Sequence, residues 1–567
     1  MTKDFRRYYV SKMMFLGAAM FLTSVGIASA NPSSDMSDFS EASPVVAKKQ
    51  QAKHSIKGVV EDALGPIAGA NVVEKGTTNG TITDMDGNFT LEVASNAILV
   101  VSYIGYQNQE ISVNGQKDFK ISLKEDSQAL DEVVVVGYGT QKKVNLTGSV
   151  SSVNFEEQAL SRPITNVSNA LAGISAGVQV MQSSGQPGSD GSTIRIRGVG
   201  TLNNAEPLVL IDGVEGSMDL VNPQDIENIS VLKDAASSSI YGSRAANGVI
   251  LITTKKGKEG KLSVSYTGRL SYAQPTNLID QITNYADYMT WINESFENIG
   301  QPAHFAQSTI DLWREKSKDP NGLNENGVPN YIAYPNTNWQ DYLFGHGLIN
   351  DHNVSVNGGS DKIRVLMSAG YLDNPGLVEN TGIKKYTLRA NIEAKITKWL
   401  TVGTRTFASQ EDKEAGNFDN ANNYLRQTTP GLYPEWNGAY GYPEASEESA
   451  TANSIGAFLN AQDGYKQKTN FNTTLYSTIT PLKGLSWDFN LNYKRYWEDN
   501  ATWTNPYEKI RFSDGTVMSP ATAPSDMTTY FYNRADYSYT IQNILRYNTT
   551  IRDDHDLGIM AGYEEYY

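Results

Sequence analysis

Cysteine is absent from the 567 residues. That excludes disulfides, thiolate metal centres, cysteine nucleophiles and cysteine lipidation in this chain. A protein working outside the cytoplasm without disulfides must draw its stability from packing or from closure of a sheet. Histidine is scarce, with five residues, and neither these nor the scattered acids have the spacing of a metal-ligand set. Positive charge is in deficit: 47 Lys plus Arg stand against 62 Asp plus Glu, a formal net charge of -15. No global basic field exists to recruit nucleic acid. Beyond Ile27 there is no run of ~20 apolar residues, so any further membrane crossing must be made by strands. The several Gly-rich turns do not form a phosphate-binding motif in a βαβ setting, and no cofactor is implied.

What the chain has in abundance is 32 Tyr, eight Trp and 48 Gly. Interfacial aromatics and turn residues in these numbers suit a membrane barrel, and they equally suit an extracellular sugar-binding β protein. At 62.2 kDa the chain is too long for one ordinary core, and two to four domains are expected.

The N-terminus carries Lys3, Arg6, Arg7 and Lys12 ahead of an apolar stretch, residues 13–27, followed by Ala28, Ser29 and Ala30. A basic flank, a short apolar segment and small residues predict a signal peptide over 1–30, cleaved after Ala30; a membrane-anchoring helix is the alternative. Residues 31–54, rich in Ser, Ala, Pro, Lys and Gln, read as a flexible leader.

Short strands bounded by Gly, Asp, Asn or Pro follow at 56–60, 70–74, 80–83, 88–93, 97–104 and 119–123, which predicts a small β-sandwich over 55–125. Within it, DMDGN at 84–88 has the look of a calcium loop but lacks the ligand series and the distal Glu, so a tight turn is expected. Gly105 is expected to serve strand geometry.

Residues 126–139 form a separate segment containing Asp131, Glu132 and the β-branched run Val133, Val134, Val135 and Val136. Such a run resists isolated helix formation and is well suited to add a strand to another protein's sheet edge, with the two acids helping to set partner preference. A packed strand or an inter-domain linker is the alternative. In 140–257, residues 168–174 suit a short helix, and Ile194 and Ile196 alternate with Arg195 and Arg197. One side of that strand can pack while the other faces a polar lumen. Pro207 to Gly213 reads as a strand ending in an Asp-Gly turn; Pro223 opens a short helix whose N-terminal amides Asp225 or Glu227 would face. Arg195, Arg197 and Arg244 are candidate anchors between this domain and a surrounding wall.

From 258 to 567 a period of two dominates. Tyr386, Leu388, Ala390, Ile392, Ala394 and Ile396 alternate with Thr387, Arg389, Asn391, Glu393 and Lys395, and residues 485–494 repeat the rule. One face can meet lipid while the other lines a watery or plugged interior. Residues 308–345 and 408–468 read as large surface loops. Trp313 and Trp339 in the first of these either stack on sugars or, preferably, pack loop cores.

Five blocks in order, LDEVVVVGYG at 130–139, GSTIRIRG at 191–198, PLVLIDG at 207–213, NPQDIENISVLKD at 222–234 and YGSRAANGVILITTKKG at 241–257, carry a resemblance. Together with the carboxypeptidase-regulatory-like pattern of 56–125, they resemble the SusC-type (SusC/RagA) TonB-dependent outer-membrane receptors of Bacteroidota. The resemblance implies a β-rich, multidomain chain: an N-terminal β-sandwich, an α/β plug over 140–257, and the N-terminal part of a transmembrane β-barrel over 258–567. It implies location in the outer membrane with the N-terminal domain in the periplasm. It makes Asp131 to Val136 the segment contacted by TonB, driven through ExbB and ExbD, and it adds a SusD-like surface lipoprotein, outer-membrane lipid and an imported substrate as partners. Oligosaccharide or glycan fragments are the first expectation for that substrate and peptides the alternative; no catalysis is expected.

Roughly 300 residues follow the plug, room for about 8 to 10 strands, whereas a plugged ring of ~22 strands needs about twice that. The barrel is therefore expected to be incomplete, a fragment or a truncated product. That leaves a non-transporting surface binding or adhesion protein as a further alternative. An extracellular glycan hydrolase is the enzymatic alternative, but its carboxylates cannot be paired from the sequence.

Overall fold

The structure is a computed structural model. It describes residues 53–567 except 63–64, 76, 78, 104–105, 107–108, 124–132, 137–138, 143–148, 156–163, 444–454, 519–526 and 552–554. The predicted signal peptide with Ala30, most of the leader, Gly105, Asp131 and Glu132 lie outside the described residues. The chain divides into two compact units, with the division between Ala129 and Leu130.

The first unit is a two-sheet sandwich built from β1 (Lys53–Glu61), β2 (Asn71–Glu74), β3 (Gly80–Ile82), β4 (Asn88–Ala94), β5 (Ile98–Ser102), β6 (Gln109–Ser112) and β7 (Asp118–Ser122). One sheet has the order β4-β1-β7 and the other β3-β2-β5-β6. In β4 every second residue, Phe89, Leu91 and Val93, is buried. These meet Ile56, Val60, Val72, Leu99, Val101 and Ile121 in one core, as the period of two requires. Residues 84–88 form the expected tight turn: Asp84 Oδ1 accepts from the amide of Asn88 at 2.8 Å, and Gly87 takes a positive φ of 75°. It links strands of different sheets rather than a hairpin pair. β6 was not legible in the sequence, because a polar strand on a sheet edge, QEIS, carries no apolar alternation.

The second unit opens with a two-stranded hairpin, β8 (Val133–Val136) against β9 (Gly139–Lys142). The plug follows: β10 (Val150–Asn154), β11 (Val178–Gln182), β12 (Ser192–Ile196), β13 (Leu208–Ile211), β14 (Val214–Glu215), β15 (Ile226–Leu232) and β16 (Val249–Thr254). Its main sheet has the order β10-β15-β16-β13-β14, and β11 pairs with β12 apart from it. β16, sequence VILITT, is buried on both faces, which explains an unbroken apolar run in place of alternation. Asp212 and Gly213, with φ of 50° and 89°, make the expected two-residue turn from β13 into β14.

The remaining strands are β17 (Gly260–Ala273), β18 (Gly347–Gly359), β19 (Ile363–Asn374), β20 (Ile383–Lys395), β21 (Leu400–Lys413), β22 (Glu435–Trp436), β23 (Ala439–Gly441), β24 (Gln462–Leu482), β25 (Leu485–Thr504), β26 (Glu508–Arg511), β27 (Thr516–Met518), β28 (Thr529–Ile551) and β29 (His555–Tyr566). Nine of them form one antiparallel sheet, β17-β18-β19-β20-β21-β24-β25-β28-β29. Its first and last strands do not pair with each other among the described residues. Connections alternate between short and long: β18 to β19, β20 to β21 and β24 to β25 turn tightly, while 274–346, 414–461 and 505–528 are long. That alternation is the barrel habit of short periplasmic turns and long extracellular loops.

The sheet is polar inside and apolar outside. On β20, Tyr386 and Leu388 are 44% and 47% exposed, while Thr387, Arg389 and Asn391 of the alternate set are 5–6% exposed. In a water-soluble sheet these two sets would change places; exposed apolar and buried polar residues are the arrangement of a strand between lipid and a filled lumen. Among the described residues no helix is long and apolar enough to cross a membrane.

The long connections are organised rather than extended. Trp313 and Trp339 are buried, and their indole N–H groups donate to the carbonyls of Pro335 at 3.2 Å and Thr429 at 2.8 Å. Both tryptophans therefore pack loop cores. The second surface loop is narrower than expected, because 408–413 still belongs to β21 and 462–468 to β24.

Candidate functional site

The plug meets the inner face of the sheet through polar contacts. Their centre is Asp225, at the end of the 3-10 turn Pro223–Asp225 that Asn222 caps by accepting from the amide of Gln224. Its Oδ2 accepts from Arg389 Nε at 3.0 Å, with both side chains almost sealed from solvent, and its Oδ1 accepts from the Ser368 hydroxyl at 2.6 Å. The guanidinium also lies over the Phe407 ring at 5.1 Å. Two opposite charges with this degree of burial are tolerable only because each is paired and hydrogen-bonded.

A second group of contacts surrounds the end of β16. The Thr254 hydroxyl donates to Asp212 Oδ2 at 2.7 Å, and Asn391 Nδ2 on β20 donates to the Lys255 carbonyl at 2.7 Å. Beside it, Asn222 Nδ2 donates to Thr387 Oγ1 at 3.2 Å. That approach depends on Gly370 of β19, where a Cβ would stand 2.3 Å from Asn222 Nδ2 and 2.5 Å from Thr387 Oγ1. Further round the wall, Lys385 donates to the Asp219 carbonyl at 2.6 Å, Lys413 to Ser189 Oγ at 2.6 Å, Gln542 to the Gly213 carbonyl at 3.0 Å and Lys494 to the Glu215 carbonyl.

The three arginines expected to anchor the plug divide. Arg244 Nη2 lies 2.5 Å from Glu564 Oε1 on β29, and its Nη1 is 3.4 Å from Glu215, so this arginine stands between plug and wall. Arg195 donates instead to the carbonyl of its neighbour Ile194 at 2.9 Å. Arg197 is exposed and sits at a positive φ of 59°, with its amide donating to the Gly177 carbonyl at 2.9 Å. Among the described residues neither Arg195 nor Arg197 reaches the wall. Asp225 departs from its expected role too: its carboxylate turns to Arg389 rather than to the amides of its own short helix, and Glu227 lies exposed in β15. The acid near Pro223 and Arg389 on the polar face of its strand were both visible in the sequence; their pairing was not.

Val133 to Val136 are extended, a conformation common to strand addition and to the packed-strand alternative, and one edge is taken by β9, in the register Val133 to Lys142 and Val136 to Gly139. The other edge has no strand partner among the described residues.

Two plug carboxyls are displaced from ordinary behaviour. Burial pushes Asp219 up, against the opposing effects of hydrogen bonding and Lys385. Asp234 is held down to about 2, because the amide of Ser149 and the amide and hydroxyl of Ser237 donate to it. Among the described residues no group of three His, Cys, Asp or Glu side chains could hold a metal ion.

What this arrangement can do follows from its chemistry. The barrel strands are joined by continuous backbone ladders, whereas the plug is held by separate side-chain contacts, each neutral hydrogen bond contributing net ~0.5–1.5 kcal/mol and each one to a charged group about 1.5–3 kcal/mol. Such contacts can be exchanged for water without opening the sheet.

Comparison with known proteins agrees with this geometry. Residues 56–135 match the CarboxypepD_reg-like domain and residues 142–249 the TonB-dependent Receptor Plug Domain. The chain is 42% identical over 352 residues to the TonB-dependent receptor SusC of Bacteroides thetaiotaomicron, covering 60% of this chain and 32% of the relative. It is 32% identical over 525 residues to the TonB-dependent receptor P39 of Formosa agariphila, covering 90% of this chain and 46% of that one. The chain thus spans less than half the length of these relatives. In fold it is similar to the RagAB peptide importer in its open-open state, with a TM-score of 0.60 at 24% identity, over 77% of this chain and 49% of that one. The β-sandwich, the plug and the inside-out sheet have one common explanation: the chain belongs to the SusC/RagA family of TonB-dependent outer-membrane receptors.

Proposed function

We propose that the protein to which this chain belongs imports a nutrient across the outer membrane, with TonB, energised through ExbB and ExbD, pulling on the segment Asp131 to Val136. The observation that carries this reading is the polar plug seated by Asp225 and Arg389 inside a sheet whose outer face is apolar. In this reading residues 126–139 face TonB, 140–257 form the movable plug, and Arg244 is one of its anchors. A SusD-like surface lipoprotein holds the substrate over the long loops before the plug moves.

Peptides are the substrate class we put first, ahead of the glycan fragments that the family resemblance implied. Their support is the fold shared with structures described as a peptide importer and a peptide transporter. The test is uptake of labelled peptides and of labelled oligosaccharides by cells carrying either the intact gene or one lacking codons 131–136. Peptide uptake that needs both the proton gradient and the segment supports the reading. Uptake untouched by the deletion would sink it, and segment-dependent uptake of oligosaccharide alone would return the substrate to glycans.

A further inference from the structure

At the long-loop end of the sheet, a polar cavity of about 280 Å3 opens between plug and wall, with Ser189 of the plug on one side and Lys413 and Lys466 on the other. Lys413 and Lys466 are direct partners in the β21–β24 ladder. Like charges opposite one another on a sheet are destabilising. Both face inward, since Lys413 shares the face of buried Phe407 and donates to Ser189. The nearest inward acid on the same strand, Glu411, is engaged by Lys385 at 3.1 Å. Lys466 has no ion pair among the described residues, and the one carboxylate in the lining is that of exposed Asp419.

An anionic group placed between the two ammonium groups would relieve their repulsion and gain two charge-assisted hydrogen bonds. The remaining lining points to the kind of anion. Gln186 and Gln462 offer amide donors and acceptors that match peptide groups. Phe418 is the single aromatic residue in the lining, which leaves little platform for stacking a sugar chain. Resting on the import reading above, we infer that this cavity receives the C-terminal carboxylate of a peptide substrate. Lys413 then links that carboxylate to the plug, because its existing partner is a plug hydroxyl.

The test is binding of fluorescent tetraalanine, with a free or an amidated C-terminus, and of tetragalacturonate, to the purified full chain in detergent. The free acid is expected to bind at least about tenfold more tightly than the amide, the scale of a charge-assisted hydrogen bond. Lys466→Gln should shrink that difference, Lys413 supplying the remaining charge, without weakening the amide, and Lys466→Arg should preserve it, which separates loss of charge from misfolding. Equal binding of acid and amide, no binding of tetraalanine, or no effect of Lys466→Gln would overturn the inference. Lys466-dependent binding of tetragalacturonate in preference to tetraalanine would overturn the peptide assignment in favour of an acidic glycan. Uptake by cells keeps the two readings apart. Segment-dependent uptake with no acid-over-amide preference removes the cavity's role alone, whereas Lys466-dependent binding without segment-dependent uptake removes import alone.

Discussion

Arg389 of the wall and Asp225 of the plug lie 164 positions apart in sequence and 3.0 Å apart in space, at Nε and Oδ2. Neither has appreciable contact with solvent. Arg389→Met should leave the Asp225 carboxylate buried without a counter-charge, a loss of about 3–5 kcal/mol. Adding Asp225→Asn to the same chain should recover part of that loss, because the uncompensated charge is gone. Urea unfolding of the four variants in a double-mutant cycle measures the coupling; additive single effects would show that the pair is not a functional unit.

Gly370→Ala tests how closely plug and wall approach. The new Cβ meets Asn222 Nδ2 and Thr387 Oγ1 well inside contact distance, so the Asn222–Thr387 hydrogen bond should break at a cost of about 1–3 kcal/mol. Hydrogen exchange should accelerate at the amides of Gln224 and Asp225 and remain unchanged in the N-terminal sandwich. Unaltered exchange at those two amides would contradict the close approach at Gly370.

Leu388 tests which face meets lipid. Leu388→Arg should reduce folding into lipid vesicles by about 2–4 kcal/mol if the position lies near the bilayer midplane, and by less near an interface. The folded fraction can be followed by the heat-dependent mobility of the protein on gels. Wild-type folding efficiency would mean that Leu388 does not face the bilayer.

The pH dependence at Asp234 has a definite sign. Its folded value, about 2, lies below the ordinary 3.8, so its stabilising contribution is complete above the ordinary value and is lost as pH falls through about 2. The stability difference between wild type and Asp234→Asn, from urea midpoints, should therefore be present at about pH 6 and shrink towards nothing near pH 2. A difference of constant size across that range would mean that the Ser149 and Ser237 hydrogen bonds do not favour the ionised form.

Much of the fold was legible because strand patterning is local. The alternation through Tyr386, Thr387, Leu388 and Arg389 reports two unlike environments whatever the rest of the chain does. Asp212 and Gly213 likewise announce a turn through their own backbone preferences. The candidate site was only partly legible. Of the three arginines singled out, Arg244 stands against the wall, while Arg195 and Arg197 have local partners. Their alternation with Ile194 and Ile196 marked a polar face but not what that face meets.

Sequence alone thus decided the order of domains, the period of the strands and which residue types face lumen or lipid, since these follow from covalent spacing and side-chain polarity. Tertiary structure decided the partners: Arg389 for Asp225, Ser189 for Lys413, and Lys466 opposite Lys413. Each pairing depends on strand register and on how the plug is seated, and a slip of one residue in a wall strand would turn Arg389, Lys413 or Lys466 to the opposite face.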